Sequence, residues 1–162
     1  MAAEGGFQVS TPELNPIEPK VLEAFSYVIV TAVEGGHYTR DDYREWTQYA
    51  HADGPDGFFQ AAVTVYPNRV GKYDSDEKPD PVRVTADWFA RRIAQGFLRG
   101  IDKKYPGLAW PRKPAEGPEI PPALFDKAAR LLIGDEDVAG EIDVIDAGAL
   151  LQVAVYGEVI YG

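Results

Sequence analysis

Thr85-Ala-Asp-Trp-Phe-Ala-Arg-Arg-Ile-Ala-Gln-Gly-Phe-Leu-Arg-Gly-Ile-Asp-Lys-Lys104 is the stretch from which the fold class is read. Thr85 suits an N-cap, because its hydroxyl can accept from a first-turn N–H that has no partner inside the helix. Asp87 complements the positive end of the helix dipole, and Val84 and Phe89 stand at the spacing of a hydrophobic staple. Phe89, Ile93, Gly96, Phe97, Gly100 and Ile101 recur on one face, so the spacing predicts a helix over 86–103. Gly96 and Gly100 lie one turn apart on it. Glycine weakens a helix, so the pair points to another element packed close against that face.

Toward the N-terminus the same logic gives more helix. Pro19 suits a first turn, and Val21, Leu22, Phe25, Val28, Ile29, Ala32 and Val33 mark one helical face over 20–34, ended by Gly35 and Gly36. Thr39 with Asp42, and Tyr38 with Tyr43, match a capping box and a staple, predicting a helix over 40–50 with Tyr43, Trp46, Thr47 and Ala50 inward. His51-Ala-Asp-Gly-Pro-Asp-Gly57 is a turn cluster. Phe58 to Tyr66 fits a short helix capped by Asp56, although Val63-Thr-Val-Tyr66 has the residue types of a strand. Residues 67–84 form a polar, acidic loop.

Toward the C-terminus, residues 105–122 carry six prolines, with Leu108, Trp110 and Ile120 as anchors. So long a loop is either functional or wrapped on the surface. Pro121 and Pro122 lead into a helix with Leu124, Ala128, Leu131 and Leu132 inward, stopped by Gly134. Asp135-Glu-Asp137 is an acidic turn. Asp146 then caps 147–161, where Leu150, Val153, Ala154, Gly157, Ile160 and Tyr161 fit a helix and an alternating subset fits a strand. Between Ala147 and Gly162 the only charged side chain is Glu158, so this segment calls for burial, in the core or against another subunit.

The expected architecture is mainly α: an irregular bundle of five or six helices, with room for a small β element at 58–66 or 150–161. Residues 1–19, rich in Gly and Pro, read as an extended arm, and 20–162 as a single globular helical domain. The chain has 162 residues, 45% of them hydrophobic, and a net charge of −10, which disfavours general binding to nucleic acid. It has no cysteine, which rules out disulfides, thiolate metal sites and thiol catalysis. The N-terminus lacks the basic and apolar regions of a secretory signal, and Tyr27–Val33 is too short to span a bilayer. A cytoplasmic protein without membrane attachment is expected. Abundant Ala, Gly, Arg and Pro point to a GC-rich bacterium or its phage.

Four features could carry chemistry. His51 lies near Asp53 and Asp56, and a histidine with carboxylates can bind a divalent metal or act as a general base. The spacing matches no metal motif, and a surface turn is the ordinary interpretation; no cofactor is expected. Arg92, Arg99 and Lys103 form a basic face on the 86–103 helix, able to dock an acidic partner or simply solvated. Trp110-Pro-Arg-Lys-Pro114 contains a P-x-x-P unit, with Trp110, Arg112 and Lys113 as candidate contacts. Tyr156 and Tyr161 are candidate anchors on the apolar terminus. No G-x-S-x-G, Walker A or G-x-G-x-x-G run occurs. The leading functional expectation is a non-enzymatic interaction protein, an accessory or structural subunit of a bacterial or phage assembly, with a protein partner or self-association. One alternative is an acidic mimic of nucleic acid that blocks a DNA-binding protein. Another is a metal-assisted enzyme using the turn with His51, Asp53 and Asp56.

Overall fold

The computed structural model describes residues 16–35, 43–67, 80–109, 113 and 115–159. Among them the order is α1 (Pro19–Gly35), β1 (Tyr43–Asp53), β2 (Phe59–Pro67), β3 (Val82–Thr85), α2 (Ala86–Lys104), a single turn α3 (Pro106–Ala109), α4 (Pro122–Leu132), a 3-10 turn (Val138–Glu141) and α5 (Val144–Tyr156). The molecule is largely helical, with a three-stranded antiparallel sheet in the order β1-β2-β3. No helix of the described residues is long and apolar enough to cross a membrane.

α1 forms where the periodicity placed it. Val21, Phe25, Val28, Ile29, Ala32 and Val33 are buried, and the helix packs on β2 on one side and on α5 on another. Its polar groups also complete the sheet. β3 pairs with β2 only as far as Ala62. Before that point two of the N–H groups of β2 go to α1: Phe59 N–H donates to Glu23 Oε2 at 2.8 Å and Ala61 N–H to Ser26 Oγ at 3.1 Å. Ser26 is fully buried, and its own hydroxyl donates to the Leu22 carbonyl. Both polar functions of this core hydroxyl are therefore satisfied.

Residues 43–50 are not a helix. From Tyr43 onward they form β1, joined to β2 by the turn at 54–58, in which Gly57 N–H donates to the Gly54 carbonyl and Gly54 N–H to the Phe58 carbonyl. Phe58–Tyr66 is likewise not a helix but essentially β2, whose Ala61, Val63 and Val65 face the core. Pairing across the hairpin outweighed local capping signals, which are weak beside tertiary contacts. The alternation of β1 is also broken. Thr47 pairs with Thr64 but Ala50 with Ala62, so one extra residue is inserted, and Gln48 adopts φ 50°. Such a bulge reverses which parity faces the core and erases the period-two signature. Arg83 bridges it, donating to the Gln48 carbonyl at 2.9 Å and to Thr64 Oγ1 at 3.1 Å. Thr39, most of the 67–84 loop and residues 1–15 of the arm lie outside the described residues.

α2 begins as expected. Thr85 ends β3 and caps α2, its Oγ1 accepting from Trp88 N–H at 3.1 Å. Val84 and Phe89 are both fully buried, and Phe89 meets Phe25 with ring centroids 5.2 Å apart. The C-terminal stretch is helix, not strand, up to Tyr156. It starts one turn earlier than the sequence suggested: Asp143 is the cap, accepting from Asp146 N–H at 2.8 Å. α5 is apolar nearly all round because it runs through the core, with Ala147, Leu150, Leu151, Val153 and Ala154 buried. Gly157, at φ 87°, ends it in the left-handed conformation.

Candidate interaction groove

The last turns of α2, the proline segment and the C-terminal end converge. The convergence begins at the glycines. A Cβ on Gly96 would stand 2.8 Å from the Pro118 carbonyl oxygen and 3.0 Å from Ile120, and one on Gly100 would stand 2.6 Å from the Phe125 ring. The helix thus has two notches, one for the proline segment and one for α4, which accounts for the glycine pair seen in the sequence. Gly117 in turn lies against the backbone of Gln95.

Polar ties hold the segment there. Buried Asp102 accepts from Ala115 N–H at 2.6 Å. Arg99 Nη1 donates to the Gly117 carbonyl at 2.7 Å, and Glu119 N–H donates to the Gly157 carbonyl at 2.6 Å. Residues 115–121 are therefore pinned along α2 at one end and to the end of α5 at the other. Pro121, at φ −57° and ψ 142°, is polyproline-like.

Between these walls opens a cleft of about 850 Å³. Its apolar lining is Gly96, Gly100, Ile120, Phe125 and Val159, with Pro118, Pro121 and Pro122. Arg99, Lys103 and Lys104, from the last turns of α2, also line it, as do Glu119 and Glu158. Lys103 is 3.7 Å from Glu119, with both side chains mostly exposed. The Lys104 ammonium lies 5.6 Å from the centre of the Tyr105 ring. The size lies within the range of small-molecule and peptide-anchor sites.

The structure distributes the sequence candidates unevenly. Arg99 and Lys103 line the cleft, whereas Arg92 is turned inward: its Nε donates to the Ala154 carbonyl at 2.9 Å and its guanidinium sits 6.0 Å from the Trp88 ring. Burial lowers its pKa from the ordinary guanidinium value. Lys113 is exposed and 3.1 Å from Glu116. Tyr156 is buried within the chain, so the apolar terminus reaches the core. Trp110, Arg112 and Tyr161 lie outside the described residues. Lys104 belongs to the same basic run as Arg99 and Lys103, whereas Phe125 and the prolines at 118, 121 and 122 were missed as site residues. The signal that could have found them was the notch at Gly96 and Gly100, read together with the proline run.

His51 does not join Asp53 and Asp56. Its Nε2 is 3.3 Å from Glu34 Oε2 on α1, an oxygen that also accepts from the Tyr49 hydroxyl. Burial, then the hydrogen bond and charge of Glu34, raise the Tyr49 pKa well above the ordinary phenol value. Asp56 Oδ1 accepts from Phe58 N–H at 3.1 Å and so shapes the hairpin turn. Among the described residues no group of three His, Asp or Glu side chains could hold a metal ion.

The acidic run at 135–146 is engaged in holding the fold. Arg130 donates to Asp135 at 2.8 Å and to both oxygens of Glu141, at 2.9 and 2.5 Å. These hydrogen bonds hold the Asp135 and Glu141 carboxyls below their ordinary pKa values. Asp146 accepts from Lys127 at 2.6 Å, joining α5 to α4. Comparison of the chain with protein-family models, curated proteins and solved structures gives no match.

Proposed function

We propose that this chain is a non-enzymatic interaction protein, an accessory or structural subunit of a bacterial or phage assembly, whose partner seats in the cleft between α2, the proline segment and the end of α5. The observation that carries the proposal is the cleft itself. Three stretches distant in sequence are tied together by backbone and buried side-chain hydrogen bonds, and what they build is an open, mainly apolar trough with charges at its edge. That is the make-up of a contact surface, where an apolar centre is ringed by polar groups. Proline walls suit it further, since they are already stiff before binding.

Two findings weigh against the alternatives. Four of the six carboxylates at 135–146 are engaged: Asp135 and Glu141 with Arg130, Asp146 with Lys127 and Asp143 as the α5 cap, which thins the row of free charges a nucleic-acid mimic needs. His51 is paired with Glu34 rather than with Asp53 or Asp56. Light scattering after size exclusion, with affinity capture from the native host, tests the proposal. The expected result is self-association or a stoichiometric protein partner. A strictly monomeric protein that captures none contradicts it.

A further inference from the structure

We infer that the segment received by this cleft carries a carboxylate next to bulky apolar side chains. The inference rests on the interaction reading above and deepens it. It starts from charge. The chain carries 16 basic and 26 acidic residues, yet the cleft is lined by three basic residues and two acidic ones. Against the overall composition this is a local excess of positive charge on a molecule that is otherwise negative.

The basic groups are placed to be used. Lys103 and Lys104 follow each other at the end of α2, with Arg99 one turn before Lys103. One guanidinium N–H of Arg99 goes to the Gly117 carbonyl, which fixes the group at the cleft edge. A guanidinium has five donors, so further N–H groups remain for an incoming anion. Of the two acids, Glu119 is already beside Lys103 and its backbone is bound to Gly157, while Glu158 lines the cleft next to Val159. A carboxylate arriving near Arg99 and Lys104 meets net positive charge. The apolar lining takes the apolar side chains: Ile120, Phe125 and Val159 supply carbon surface, and Pro118, Pro121 and Pro122 supply stiff walls.

A basic segment is less well matched, because it would bring further cations to Arg99, Lys103 and Lys104, and a neutral one offers these side chains no added counter-charge. Complementary charge at a rim acts mainly on selectivity and encounter rate, while the apolar floor supplies affinity. The carboxylate is therefore expected to sharpen binding modestly, and the effect is expected to fade with salt.

The test uses two synthetic N-acetylated octapeptides, one alternating Glu with Leu and Phe, the other with every Glu replaced by Gln. Binding to the ¹⁵N-labelled full chain is followed by amide shifts. The inference expects the Glu peptide to move the Gly96, Gly100 and Val159 signals and to bind at least ~3-fold tighter than the Gln peptide at low salt, in line with exposed ion pairs. Lys104→Glu, an exposed change that spares the core, is expected to erase that preference. Equal or tighter binding of the Gln peptide, a preference untouched by Lys104→Glu, or no binding of either peptide overturns the inference. A cleft that prefers the Gln peptide still leaves the interaction reading standing, whereas loss of that reading requires the capture experiment to fail.

Discussion

At the residue scale, two glycines on helices make opposite predictions. Gly96 faces a backbone carbonyl that a Cβ would approach to 2.8 Å, and neither the helix nor the pinned proline segment can yield easily. Gly96→Ala is expected to destabilise the protein by about 1–3 kcal/mol through overpacking, more than the ~0.5–1 kcal/mol an alanine gains in a helix. Gly148 lies inside α5 with open space where its Cβ would be. Gly148→Ala is expected to stabilise by ~0.5–1 kcal/mol. Urea unfolding of both variants checks this, and a stabilised Gly96→Ala would show that the notch is not needed. Ser26 makes a third case. Its removal leaves the buried Ala61 N–H at the open end of the sheet without an acceptor, and Ser26→Ala should cost about 1–3 kcal/mol in the same assay.

At the element scale, Arg130 ties α4 to the turn that leads into α5, and the tie depends on pH. Hydrogen bonds from Arg130 hold the folded carboxyls of Asp135 and Glu141 below their ordinary values. Groups depressed on folding contribute stability that is fully present above the unfolded pKa values, about 4, and is lost as pH falls through the folded ones. Arg130→Met should therefore unfold at a lower temperature than wild type at pH 7, and the gap should narrow below about pH 4. A gap that stays constant down to pH 2 would contradict this role. The elements were not equally legible. α1, α2 and α4 were readable because each has a long apolar stripe and a capping or proline signal. β1 was hidden because the bulge at Gln48 breaks its alternation, and because Thr39 and Asp42 imitate a helix start. In β2 the strand propensity of Val63–Tyr66 was visible, but only pairing with two neighbours decides between strand and helix. α5 was ambiguous since a fully buried segment carries no polar face to reveal its period.

At the scale of the whole molecule, the candidate site was half legible. The meeting of the proline loop with the apolar C-terminus could be suspected from composition, and the glycine pair foretold a close neighbour. The cleft itself could not be read, because its walls come from positions some 60 residues apart, joined by the Arg99–Gly117 and Glu119–Gly157 hydrogen bonds. Nor could the inward turn of Arg92, which depends on where α5 lies. The same assembly draws part of the acidic charge elsewhere: Asp135 and Glu141 pair with Arg130 and Asp146 with Lys127.

The absence of cysteine permits a direct test of the claim that partners seat in this cleft. Lys103→Cys places a single thiol in the cleft lining, and Ile145→Cys places one on an exposed site in the first turn of α5, roughly 16 Å along the helix axis from its C-terminal end beside the cleft. Each variant is coupled to a bulky maleimide and used for affinity capture against its uncoupled form. The account predicts that the adduct at position 103 abolishes capture or self-association while the adduct at 145 leaves it intact. Unchanged association with the cleft blocked, or loss only with the adduct at 145, would contradict it.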